Sequence, residues 1–108
     1  MIFDQRIYTA RPGRLAPHVE LFGTYGMDVY RRHVGEPVLV GVTESGALNA
    51  YIHIWAYRDA AHREEVRERM HHDPGWNELR KQSAAAGGNL VHQVNSILVP
   101  APFFDYRP

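Results

Sequence analysis

The chain has 108 residues, no cysteine, and twelve basic against twelve acidic side chains, which is the length of about one small domain. Without cysteine, disulfides, thiolate catalysis and Cys-based zinc sites are excluded. A formal charge of zero with no long run of one sign argues against a nucleic-acid or anionic-membrane partner. Near-neutrality also weakens repulsion between copies, which suits an oligomer. The opening "MIFDQRIYTARPG" lacks the basic start and apolar stretch of a secretory signal, and no apolar run is long enough to span a bilayer. A cytoplasmic protein is the expectation.

Residues 2 to 9 alternate, with Phe3 and Ile7 on one face and Asp4, Arg6 and Tyr8 on the other, which predicts a strand. "RPG" at 11 to 13 breaks it. From Leu15 to His33 the positions Leu15, Val19, Phe22, Gly26, Val29 and His33 recur at helical spacing, with Pro17 in the first turn. Gly35 and Pro37 end that helix, and residues 38 to 57 read as a β-hairpin turning through "SGAL". Asp59 is a natural N-cap for a charged helix whose inward stripe is Ala60, Arg63, Val66, Arg67 and Met70. "DPGW" restarts a short helix through Trp76 and Leu79. Gly87 and Gly88 stop it, and residues 89 to 99 alternate again, Leu90, Val94 and Leu98 against Gln93 and Asn95. The order predicts an α+β chain of ferredoxin-like βαββαβ topology. One domain spans 1–108, and its residues 100–108 form a Pro-rich, aromatic tail that is expected to dock.

The strand within "NAYIHIWAY" has Ala50, Ile52, Ile54 and Ala56 on one face and Tyr51, His53, Trp55 and Tyr57 on the other. Two helices cover one face of a four-stranded sheet, and the aliphatic face of Phe3, Ile7, Ile52, Ile54, Val94 and Leu98 is expected to take them. The ring face then needs another cover, because monomers avoid exposing a patch of that size. A second subunit is expected to supply it, closing two sheets into a barrel with a polar-aromatic interior.

The stretches "RIYTARPGRL", "NAYIHIWAYRDAAHREEVRERM", "DPGW" and "NSILVPAPFF" resemble the NIPSNAP family, within the dimeric α/β-barrel superfamily. That resemblance runs over nearly the whole chain. It implies a ferredoxin-like protomer, a homodimer formed through the sheets, and a pocket between sheet and helices. Superfamily relatives include cofactor-free monooxygenases.

Among the ring-face residues, His53 is the candidate general base, its ordinary pKa of about 6.5 suiting proton transfer at neutral pH. The competing reading is a hydrogen-bonded interior histidine. Arg6 needs an acid such as Asp4 or one from "REEVRER", or else an anionic ligand. Tyr8, Tyr51 and Tyr57 offer hydroxyls, Trp55 a flat wall, and Gln93 and Asn95 amides for a carbonyl. Arg63 and Arg67 read as solvated partners of neighbouring glutamates. His92 belongs to the aliphatic, helix-covered side. His71, His72 and Asp73 at a helix end lack metal-ligand spacing, so no metal site is expected. Trp76 reads as an anchor or a lid. No nucleophile constellation, phosphate loop or cofactor fingerprint is present, so no cofactor is expected.

Two functions follow from these readings. One is a homodimer binding a small aromatic or carbonyl-bearing molecule, with cofactor-independent oxygen or proton chemistry if it is an enzyme. The other is a non-catalytic interaction module whose ring face is only the dimer core.

Overall fold

The computed structural model describes residues 1–107. Strand β1 (Ile2–Ala10) leads into a long helical arm made of α1 (Leu15–Leu21), a π-helical segment (Phe22–Gly26) and α2 (Met27–His33). Strands β2 (Leu39–Val42) and β3 (Ala50–Tyr57), helices α3 (Ala60–His71) and α4 (Pro74–Ala85), and strand β4 (Leu90–Leu98) complete it. The four strands lie in the order β2-β3-β1-β4, with every neighbouring pair antiparallel. This is the α+β ferredoxin-like arrangement that the element order predicts.

Local chemistry sets most boundaries. Val34 and Gly35 both donate backbone N–H bonds to the Tyr30 carbonyl, at 2.7 and 3.1 Å. Gly35 closes the arm at φ 114°, a conformation open to glycine at no steric cost. Asp59 caps α3 by accepting from the His62 backbone N–H at 2.8 Å, as expected. Asp73 does the same for α4 through the Gly75 N–H at 2.8 Å, and Pro74 fills the first helical position. With that start, α4 runs twelve residues rather than forming a short helix.

The π segment corrects the simple helical reading of residues 15 to 33 and has a geometric effect. At about 100° per residue, the twelve residues from His18 to Tyr30 would place these side chains about 120° apart on an unbroken α-helix. A π turn absorbs one extra residue, so the separation falls to that of eleven residues, about 20°. His18, Phe22 and Tyr30 are thereby turned to one side, and all three are buried.

The largest correction concerns the two sheet faces. Tyr51, His53, Trp55 and Tyr57 are at most 1% exposed within the single chain. They pack with Phe22, Val29, Tyr30, Val66 and Met70 of the chain's own helices. The helices therefore cover the ring face, and that face is not the core of a dimer. The strand register places Ile7, Ile52, Ile54, Val94, Leu98 and Leu39 together on the opposite face, which no helix covers. Rings win the covered side because each buries more apolar area than an aliphatic chain of β3. The aromatic and sulfur side chains on the helices are matched to them.

Smaller corrections follow. His92 is exposed and sits opposite Thr9, on the open face. Of the predicted α3 stripe, Val66 and Met70 are fully buried while Ala60 is exposed. The tail touches the open side: the Tyr106 ring meets Phe3 edge-on, with centroids 5.3 Å apart at 87°. Phe103 and Phe104 remain exposed.

Candidate functional site

Between the ring face and the helices lies a cavity of about 380 Å³. Tyr8 of β1 and Gln93 of β4 reach it from the sheet, His18 and Phe22 from the arm, Tyr30 from α2, and Trp76 from α4. Leu21, Leu79, Ala84 and Leu90 make the rest mainly apolar, with Arg80 and Ser83 on the α4 side. Such a concave, apolar space with a few convergent polar groups has the character of a small-molecule site.

Of the ring-face candidates, Tyr8 and Gln93 line this cavity. Arg6 stands behind Tyr8, its Nε donating to the Tyr8 hydroxyl oxygen at 2.9 Å. Tyr51 and His53 form a second layer: His53 lies 4.9 Å from the rings of both Tyr8 and Phe22, and Tyr51 lies 5.2 Å from His18. Trp55 stacks on Tyr30 at 4.1 Å and 16°. Tyr57, beside His62, and the exposed Asn95 on β4 do not line the cavity. The sequence reading missed His18. Its signal was present, since it sits three residues after Leu15 and four before Phe22 on the predicted apolar stripe.

The protonation states are set by burial. Trp55 Nε1 donates to His53 Nδ1 at 2.7 Å. A neutral imidazole that accepts at Nδ1 carries its proton on Nε2, and burial, reinforced by the Arg6, His18 and Arg67 charges, pushes the His53 pKa down to about 3. His53 is thus a neutral donor with its lone pair occupied, a geometry that opposes the general-base role. His18 is likewise shifted down by burial. Its Nε2 is buried without a hydrogen-bond partner among the described residues, as are His53 Nε2 and the Tyr51 and Tyr57 hydroxyls. Burial raises the Tyr30 pKa to about 12 against the lowering effect of Arg67, so Tyr30 stays a phenol at neutral pH.

Behind the tyrosines lies an ionic cluster. Asp4, fully buried, pairs with Arg6 at 3.3 Å and Arg63 at 2.9 Å. Arg67 donates to the Tyr30 hydroxyl at 3.5 Å. The expected Asp4–Arg6 pair is present, whereas Arg63 and Arg67 point inward instead of bridging to glutamates on their own helix. Asp73 is engaged by Arg32 and His33, at 3.0 and 2.9 Å, in addition to capping α4.

A family model described as NIPSNAP matches residues 3–104. The chain belongs to the NIPSNAP family. Among curated NipSnap proteins, the homologue from Dictyostelium discoideum is 28% identical over 99 residues, which is 92% of this chain and 42% of that one. NipSnap homolog 2 from Homo sapiens is 35% identical over 80 residues, 72% of this chain and 27% of that one. The chain therefore spans less than half the length of these curated relatives. A NIPSNAP domain protein from Burkholderia xenovorans superposes with a TM-score of 0.87 at 27% identity, covering 98% of this chain and 100% of that one. A putative antibiotic biosynthesis monooxygenase from Nitrosomonas europaea shares the fold at a TM-score of 0.64 and 9% identity, covering 93% and 98% of the two chains.

Proposed function

We propose that this NIPSNAP domain binds a small, largely apolar molecule bearing an aromatic ring or a carbonyl in the cavity between sheet and helices. We further propose that it does so as a homodimer joined through the open sheet face. The cavity lining carries the first reading: apolar walls surround Tyr8, His18, Tyr30 and Gln93, enough polar groups to orient one carbonyl or hydroxyl. Any proton chemistry in that space belongs to the side chains within reach. His18 offers an unpartnered ring nitrogen and Tyr8 an O–H whose oxygen is already held by Arg6. His53 supports the wall from behind.

Native mass spectrometry of the purified protein, compared with its denatured mass, tests this reading. A dimer carrying extra non-covalent mass is expected, and Ala84→Trp, which fills the cavity from α4, should release that mass and leave the dimer. A bare chain mass, unchanged by a panel of aromatic acids and quinols, would overturn it.

A second reading has its own observation. The Tyr30–Trp55 stack and the Trp55–His53 hydrogen bond are well-satisfied packing, as a non-catalytic interaction module would need. In that reading the ring face is the protomer's core and the open face is its working surface.

A further inference from the structure

The wall formed by Tyr8 and Tyr30 differs from the rest of the cavity in what stands behind it. Each hydroxyl oxygen accepts from a guanidinium, Tyr8 from Arg6 Nε at 2.9 Å and Tyr30 from Arg67 at 3.5 Å. A phenol whose oxygen accepts from a cation has its O–H polarised and free to donate elsewhere.

The charges behind this wall do not balance. Arg6 and Arg63 share the single carboxylate of Asp4, and Arg67 stands near Arg6 at the Tyr30 hydroxyl. Arg67 makes no salt bridge among the described residues, and Arg6 repels it. The side chains of Arg6 and Arg63 are only 14% and 25% exposed, so water screens this excess poorly. Among the described residues no carboxylate lines the cavity, and Arg80 adds a further positive group to it. Both nearby histidines are held neutral by burial, which fits a region already short of negative charge.

Resting on the ligand-binding reading above, we propose that the cavity selects an organic acid: an apolar, ring-sized body whose carboxylate meets the Tyr8–Tyr30 wall, with Arg6 and Arg67 supplying the charge complement. The two phenols donate to the oxyanion, and the guanidiniums behind them stabilise it through those shared bonds. A neutral amide of the same body gains the apolar contacts but lacks the charge that the cluster is short of.

Isothermal titration of the full chain at pH 7.5 with 2-naphthoate and with 2-naphthamide separates these contributions. The acid is expected to bind about tenfold more tightly, the difference between a charge-assisted and a neutral hydrogen bond. That ratio should fall toward one in Arg67→Met. It should also fall in Arg6→Gln, which removes the guanidinium behind Tyr8 while Asp4 keeps its pairing with Arg63. Equal affinity of acid and amide for the unaltered protein, or a ratio unchanged in both variants, overturns the inference while leaving the ligand-binding reading in place. Failure of both probes to bind overturns the two together.

Discussion

His53 is held neutral by its surroundings, and that has a measurable cost in acid. In the unfolded chain a histidine protonates near 6.5, whereas in the folded protein burial keeps His53 unprotonated down to about 3. Between those values the unfolded chain binds more protons, so stability is complete above 6.5 and falls as the pH drops toward 3. His53 alone contributes a slope of at most about 1.4 kcal/mol per pH unit in that window. His18 adds to it in the same direction. Urea denaturation at pH 7.5, 5.5 and 4.5 should show the decline, and His53→Gln, which keeps an acceptor for Trp55 but does not titrate, should flatten it. An unchanged slope in the variant would assign the acid sensitivity elsewhere. Asp73 does not confuse the measurement: its hydrogen bonds to Arg32 and His33 shift it down from 3.8, so its loss begins below most of the histidine window.

At the level of elements, alternation in β3 and β1 disclosed two chemically distinct faces and placed Arg6 beside Asp4, and helical spacing located the buried Val66 and Met70. What period alone does not carry is which face the helices cover. Ile52 and Ile54 look more hydrophobic than Tyr51 and His53, yet the decision rests on total area and on what the helices present, and Phe22, Tyr30 and Trp76 present rings. Arg63 and Arg67 were hidden for a related reason, because Asp59 four residues before Arg63 and Glu64 three residues before Arg67 offer local partners that a buried Asp4 or a Tyr30 hydroxyl outcompetes.

The junction of α2 and α4 gives the clearest test at this scale. A Cβ on Gly75 would lie 2.8 Å from Val29 Cγ2 and 3.1 Å from Arg32, and Val29 is fully buried. Alanine favours a helix over glycine by about 1 kcal/mol, but overpacking of this kind costs about 1–3 kcal/mol. Gly75→Ala is therefore expected to destabilise the protein in urea denaturation. Stabilisation would mean that α4 can slide away freely. Asp73→Ala should cost about 1–2 kcal/mol through the lost cap.

Considered as a whole, the molecule keeps one side of its sheet bare. Leu39, Val94 and Leu98 are 49%, 43% and 40% exposed, and they share their face with Ile7, Ile52 and Ile54. An apolar patch of this extent on a chain without net charge favours self-association. Sedimentation velocity should find a dimer for the unaltered chain and a monomer for Ile54→Glu, with the far-UV circular dichroism of the two alike. A monomeric parent, or a dimer that tolerates the glutamate, would rule out this face. The sequence reading expected a homodimer through the opposite, ring-bearing face; a dimer through the open face would leave the ring side to each protomer's own cavity.

The π segment carries one residue more than the helical arm needs. Removing Thr24, which is exposed within Phe22–Gly26, would let the arm close into a continuous α-helix while His18 and Tyr30 kept their common direction. Removing Glu20 or Asp28 instead, with the π segment kept, would rotate one side of the arm by about 100° relative to the other. The segment is in this sense an insertion whose phase error has already been absorbed. A chain shortened at Thr24 should still fold and bind, whereas one shortened a turn away in either direction should lose its aromatic wall.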